Sequence, residues 1–398
     1  MKKILFPLWL VALALTLCTA CSDDDDEKLV APIQETSVFQ TGSGLTLTLN
    51  GNPIIGQQVT FVPDAQQADR ARLTIVSDFD PSQLLTRSDL PVRPTGAGLL
   101  PGTSILSLPL ALQISGDECS FQGSSETEYC TFSYSGRASR SALQLDFTDV
   151  KLKNTKLAGT TWSPLPYDSQ GYTQEPIHIV WEAAKGIELF PGYEMPLQSL
   201  LSLMVRLPLI EMENDQEVSV NEMLNYAFRS VSFGADGQIG ASYVDVANEG
   251  TSVLQAPYGV AQYLVLDDSH LKVYLNPTMI AAIAKTNDAA TRAGVDETIS
   301  SLLPTLLNLL VEGVPVEYRL DGNNLQVYLD TQLLLPLIQA VVPLLQDEEL
   351  INLLMQQIAS DPDMAGMADS IIAAFKSLPA VIGSTTRIEI GLNLARQK

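Results

Sequence analysis

Leu45-Thr46-Leu47-Thr48-Leu49-Asn50-Gly51 alternates apolar and polar residues without a slip and then stops on Asn-Gly. Successive side chains of an extended chain point to opposite faces, so this spacing predicts a half-buried strand. Asn-Gly supplies the backbone angles of a tight hairpin turn and marks the strand's end. Working outward, strands are predicted at Gln58–Val62, Arg72–Val76, Ile105–Ile114, Tyr129–Tyr134 and Ala142–Leu152. Pro91–Gly102 is rich in Pro and Gly and predicts a loop. Short strands with turns between them over residues 41–160 predict an antiparallel β-sandwich or open barrel.

From residue 161 to 398 the style changes. Apolar runs with helical spacing, Leu197–Met212, Val220–Phe228, Ile299–Val311, Leu333–Gln346, Glu348–Ser360 and Met364–Leu378, are set among hairpins, and Thr386–Leu394 returns to strand alternation. The expected class is α+β, with this second region built from hairpins and Leu-rich helices. It also contains a repeat. Gly259-Val260, Leu266-Asp267, Leu271 and Val273-Tyr274-Leu275 return, 54 residues on, as Gly313-Val314, Leu320-Asp321, Leu325 and Val327-Tyr328-Leu329. Each copy (259–283 and 313–337) reads as strand, Asp-led turn, strand and apolar helix. Two copies are too few for a solenoid.

The first twenty residues read as an address. Met1-Lys2-Lys3, an apolar run from Ile4 to Leu17, and small residues before Cys21 form a secretory signal over 1–20, too short for a membrane span. Cys21 directly after Thr19-Ala20 resembles the lipobox of bacterial lipoproteins, in which that cysteine becomes the lipidated N-terminus. Ser22 and the run Asp23–Glu27 resemble the export tether of Bacteroidetes surface lipoproteins, so residues 21–40 are expected to be a lipidated cysteine and flexible linker. Ordinary secretion with a free Cys21 thiol is the other reading, and an exposed free thiol is a liability.

Composition narrows the partners. The formal charge is −23, and loss of residues 1–20 removes Lys2 and Lys3 and no acid. Such a surface repels nucleic acid and anionic membranes, so nucleic-acid partners are not expected. The apolar fraction of 46% supports one large domain or two medium ones. Of four cysteines, Cys18 leaves with the signal and Cys21 is the expected lipid site, which leaves Cys119 and Cys130, flanking Ser120–Tyr129. If that segment is a hairpin, they face each other and form a disulfide, which stabilises by about 3 kcal/mol. No His stands near either cysteine, so no metal or catalytic role is read there.

No catalytic set assembles. His178 lies in the expected strand Ile177–Trp181, and His270 sits in a turn whose repeat counterpart is Asn324. Ser269-His270-Leu271-Lys272 spells Ser-x-x-Lys but falls in a hairpin, not at a helix start. Phosphate loops, zinc motifs and calcium loops do not occur. No enzyme activity, metal or cofactor is therefore expected. A carboxylate pair working on sugars stays open among 46 acids.

Two features suit binding. Trp162, Tyr167, Tyr172, Trp181, Phe190 and Tyr193 fall in one Pro-containing segment, and exposed aromatics on stiff loops make platforms for sugar rings. Packing onto the β domain is the plainer role for such large residues. The second feature is the pair of segments Leu200–Ile210 and Leu333–Leu345, apolar on nearly every side, which must be surrounded by core or by an apolar ligand.

Cys119-Ser-Phe-Gln-Gly, Cys130-Thr-Phe-Ser-Tyr-Ser-Gly136, Leu145-Asp-Phe-Thr-Asp-Val-Lys151, Val231–Tyr243 and Tyr258–Tyr263 resemble surface lipoproteins of gut Bacteroidetes. The resemblance implies an outer-membrane, lipid-anchored protein facing the cell exterior, with mixed β-rich architecture; it implies no reaction. Leu157–Trp162 also resembles the Gly-x-Trp opening of lipocalin-like barrels, with one extra residue between Gly159 and Trp162. The expectation is a non-catalytic protein capturing a glycan or other nutrient through Trp162, Tyr167, Tyr172, Trp181 and Tyr193. The alternatives are a carrier of an apolar ligand in the Leu-rich helices and a structural or adhesive surface protein.

Overall fold

The computed structural model describes residues 31–79, 97–190, 192–212, 216–246, 251–280, 305, 307–346 and 368–397. The signal, Cys21 and the expected helix Glu348–Ser360 lie outside the described residues. The described residues are mostly β, with 51% strand against 19% helix, and the two large sheets are barrel-like.

The first sheet uses β1 (Ser37–Thr41), β2 (Gly44–Leu49), β3 (Asn52–Pro53), β4 (Gln57–Pro63), β5 (Arg70–Ser77), β6 (Ile105–Ala111), β7 (Gln113–Ser115), β8 (Glu118–Glu126), β9 (Cys130–Ala138) and β10 (Leu143–Leu152). Its order is β6-β5-β4-β1-β2-β10-β9-β8-β7, with β3 on β2. Only Leu112 separates β6 from β7, so the two ends of the sheet are one run of chain, and the sheet curls nearly shut. Most pairs are antiparallel, but β2 runs parallel to both β1 and β10. The alternation in β2 does what its period requires: Leu45, Leu47 and Leu49 are buried, and Thr46 and Thr48 face away. The expected tether reaches less far than residue 40, because Ile33 and Phe39 are buried in the core and Arg140 Nε donates to Pro32 O at 3.2 Å.

The expected disulfide does not form. Cys119 and Cys130 are both free and buried. The β8–β9 turn lies off centre: Thr127 Oγ1 accepts from the backbone N–H of Tyr129 and Cys130, at 3.2 and 3.1 Å. Cys119 therefore pairs with Ala138 and Cys130 with Leu152. Ala138 is eight residues along β9 from Cys130, roughly 27 Å at strand rise, far beyond disulfide reach.

The second sheet begins with β11 (Thr160–Pro164). An excursion follows through β12 (Ile177–Ala183), the hairpin β13 (Ile187–Phe190) and β14 (Tyr193–Met195), α1 (Leu197–Met204), and the pair β15 (Pro208–Glu211) and β16 (Glu217–Ser219). Then come α2 (Val220–Ala227), β17 (Phe228–Phe233), β18 (Gln238–Val244), β19 (Val253–Gln255), β20 (Ala261–Val265), β21 (His270–Leu275), β22 (Val314–Asp321) and β23 (Asn324–Leu329). Helices α3 (Thr331–Leu345) and α4 (Ala368–Gly383) precede β24 (Thr385–Arg396). Strands β11, β17, β18, β20, β21, β22, β23 and β24 pair in that order, and β24 pairs back onto β11. This is an eight-stranded, up-and-down antiparallel ring. It closes on three residue pairs, Trp162↔Arg396, Ser163↔Ala395 and Pro164↔Leu394. The other half of the same edge of β24 pairs with β12.

The expected α+β region is thus a barrel with helices attached. The run Leu197–Met212 is helical only to Met204; the N–H groups of Arg206 and Leu207 both close on Leu203 O. Pro208 has no N–H with which to continue, and the chain turns into β15. In α2 the capping box is complete, with Ser219 Oγ accepting from Glu222 N and Glu222 reaching back to Ser219 N.

The repeat forms adjacent hairpins, β20–β21 and β22–β23. The equivalence continues into the helices that follow. Asn276 Oδ1 accepts from Met279 N, and Asp330 Oδ1 accepts from Leu333 N, both at 3.2 Å. Tight connections of the ring (234–237, 266–269 and 322–323) lie at one end, the floor. The helical segments that precede β17, β22 and β24 or follow β21 and β23 lie at the other, the mouth.

The two barrels share one contiguous core. Polar contacts pin them: Gln262 Nε2 donates to Gly98 O at 3.0 Å, Asn276 Nδ2 to Ile55 O at 3.3 Å, and Thr278 Oγ1 to Asp78 Oδ1 at 2.8 Å.

Candidate ligand-binding site

Alternation along each strand of the ring sends one set of residues inward. At the floor these are Trp162, Phe233, Tyr263, Leu271, Tyr318, Leu325 and Leu394, all buried. Phe233 and Tyr263 meet edge to face at 4.9 Å. Their neighbours' polar tips are all satisfied nearby: Trp162 Nε1 donates to Thr160 Oγ1 at 2.8 Å, Tyr263 OH to Gly234 O at 2.8 Å, and Tyr318 OH to Asp267 O at 2.7 Å. Burial pushes the Tyr263 hydroxyl well above the ordinary tyrosine range. This end is a packed plug.

One step nearer the mouth the lining changes. Val231, Ala241, Val273, Val316, Val327 and Leu392 point inward on six strands, and each is only half-buried. Ile390, a further step up β24, is 37% exposed. Inside a closed ring, half-buried inward side chains border open space. That space has carbon walls, an aromatic floor and helices around its mouth. All six of these side chains are aliphatic, and none of the six carries a titratable group.

The helices at the mouth have their own small core. Ile187, Leu197 and Val381 are buried there, with Trp181, Leu189, Leu200, Leu201, Ala374 and Leu378 packed against them. Gln198 fixes α1 to β12, with its Oε1 accepting from Trp181 N and its Nε2 donating to Ile179 O at 3.0 Å.

The aromatic segment does not assemble into one platform. Trp162 is 1% exposed in the barrel floor, out of reach of any sugar ring. Trp181 is part-buried on β12, its Nε1 donating to Thr385 Oγ1 at 2.9 Å. Tyr167 and Tyr172 are brought together, 6.4 Å apart, with the Arg206 guanidinium 4.9 Å over the Tyr172 ring. Phe190 and Tyr193 are exposed on the separate β13–β14 hairpin. These are four places, not one.

Neither histidine heads a catalytic set. His178 Nε2 lies 2.8 Å from Glu389 Oε2, and its Nδ1 lies 3.0 Å from Gln326 Nε2. Arg387 Nη2 donates to Glu389 Oε1 at 2.8 Å. Burial works to raise the Glu389 carboxyl, but the bonds from His178 and Arg387 outweigh it and hold it below its usual range. This network ties β12, β23 and β24 together on the outer face of the ring. His270 Nδ1 is bound by Asp267 within its own turn, at 2.7 Å. Among the described residues no group of three His, Cys, Asp or Glu is placed to hold a metal ion. Among them, too, no helix is long and apolar enough to cross a membrane. The chain matches no family model, no curated protein and no solved structure.

Proposed function

We propose that this chain is a lipid-anchored surface protein of the Bacteroidetes kind that holds an apolar ligand in the mouth half of its second barrel. One observation carries the reading: six inward positions of a closed ring, Val231, Ala241, Val273, Val316, Val327 and Leu392, are apolar and half-buried above a filled floor. Pockets that take small molecules are mostly apolar, and these six side chains would supply such a lining. The Leu-rich helices serve as its rim and cap. Lipid attachment at Cys21 and an outward-facing place in the outer membrane rest on the N-terminal sequence.

The test is organic extraction of the mature chain with mass spectrometry, followed by titration with a fluorescent fatty-acid probe. We expect a co-purified lipid or saturable probe binding. Val316→Trp, which fills the space from its wall, should abolish binding while the circular dichroism spectrum is kept. An empty extract and no probe binding would overturn the reading.

A further inference from the structure

The first barrel carries a cavity of a different character. A trough of about 800 Å³ opens on the outer face of its sheet, over β7, β8, β9 and β10. Its polar lining comes in two rungs set by strand register. Gln113 stands opposite Ser120, Ser120 opposite Arg137, and Arg137 opposite Gln144. In the second rung Gln122 stands opposite Ser135, and Ser135 opposite Asp146. One end of the trough is braced, because Asp146 accepts from Thr48 Oγ1 at 2.6 Å and from Gln144 Nε2 at 3.3 Å. Among the described residues the side chains of Gln113, Gln122 and Arg137 have no hydrogen-bond or ion-pair partner. Rigid strands thus present idle donors and acceptors in two ordered rows.

We propose that this trough binds a saccharide bearing a carboxylate. Neighbouring strands are about 4.8 Å apart, close to the length of one pyranose ring, so the rungs match a ligand whose hydroxyl groups repeat ring by ring. The trough reaches β7, the last strand of the sheet, and beyond Ser120 strand β8 pairs only with β9, but its polar side chains stand on the sheet face and address a ligand lying across the strands, not one added alongside β8. Arg137 is the one basic group lining it, on a chain of formal charge −23. An unpaired guanidinium offers a planar fork suited to a carboxylate. A polyphosphate would need several cations and would meet Asp146. Phe121 faces the core, buried, so binding runs on hydrogen bonds without ring stacking.

The test uses the mature chain with three probes, oligogalacturonate, oligoalginate and sialyllactose, and the methyl ester of whichever binds, read by calorimetry. We expect at least one acidic probe to bind, its ester to bind tenfold or more weakly, and added salt to weaken it. Arg137→Ala should cost tenfold or more, Arg137→Lys should recover only part, and Gln122→Ala should cost a few fold. Fatty-acid probe binding by the second barrel should be unchanged in all three variants, which separates this site from the apolar one. Equal binding of acid and ester, wild-type binding by Arg137→Ala, or no binding of any acidic probe would each overturn the proposal.

Discussion

Trp162 and Arg396 stand directly opposite each other across the seam that closes the second barrel, with the guanidinium 5.9 Å from the indole centroid. The indole is fully buried in the floor, and the arginine covers it from the last residue of β24. Replacing Trp162 by Ala removes a large core side chain at the seam and should cost about 3–5 kcal/mol. Arg396→Ala loses the cation–π contact, about 0.5–1 kcal/mol, and the cover its stem gives the indole, so it should cost less than Trp162→Ala. Urea unfolding of both variants checks the ratio; equal costs would mean that the seam, not the indole, dominates.

The two buried thiols should behave as inert core residues. Burial raises both above the ordinary cysteine value, which keeps them protonated and slow to react. Iodoacetamide should leave the native protein unmodified at Cys119 and Cys130 and label both in guanidinium. A reductant should leave the melting temperature unchanged. A disulfide-linked peptide in a non-reducing digest would contradict the register of β8 and β9.

Two exposed turns should titrate in acid. Asp168 is lowered to about 2, chiefly by the backbone N–H of Gly171 and the Thr173 hydroxyl. Asp267 is also lowered to about 2, chiefly by the N–H of Ser269 and by His270. A carboxyl held lower in the fold than in the unfolded chain stabilises fully above the unfolded value, and that stabilisation is lost as pH falls through the folded value. The loss should therefore run from about pH 4 down to about 2. Asp168→Asn should flatten part of that slope, as measured by thermal melts across this range.

His270 works in the opposite sense. Its bond to Asp267 raises it above the ordinary histidine value, so its contribution is present in acid and lost as pH rises through the raised value. His270→Asn, the residue of the repeat counterpart Asn324, should keep the hairpin and erase this step. A pH profile unchanged above the ordinary histidine value would show that the ion pair adds nothing.

A side chain at Gly391 should force its neighbours' backbone to shift. A Cβ there would stand 1.9 Å from Val327 O and 2.5 Å from Tyr328 Cα. Its absence lets the Tyr328 ring reach across β24 to His178, 5.3 Å away. Gly391→Val should cost about 1–3 kcal/mol by overpacking, measured by chemical denaturation.

What the sequence disclosed follows from distance along the chain. The strand Leu45–Leu49 was plain because one face is buried and the period is strict. The repeat was plain because its hairpins are local, and its Asp-led turns sit where expected. Barrel closure was only hinted at: the stretch Leu157–Trp162 resembles a barrel opening, but nothing in the sequence singles out Arg396 as the partner of Trp162. The cysteine pairing failed on one off-centre turn at Thr127, which shifts the register of every residue beyond it. The aromatic segment misled because Trp162, Trp181 and Tyr193 are near in sequence but lie on β11, β12 and the β13–β14 hairpin. Gln113, Gln122 and Arg137 resemble any solvated strand face until the register sets them in rows.

The seam also sets an order of assembly. All the strand partners of the first barrel lie between Ser37 and Leu152, so its strand pairing can begin as soon as this part of the chain is available, although its core is completed by the second barrel. Most of the second ring is made of neighbouring hairpins, which form quickly because their contacts are local. Its closure is different: β11 must wait for Pro164, Ser163 and Trp162 to be met by Leu394, Ala395 and Arg396. A chain synthesised or exported from its N-terminus therefore holds an open, apolar-lined sheet until its final strand arrives. A nascent chain halted before residue 394 should need a chaperone, and trimming a few residues from β24 should unlatch the ring.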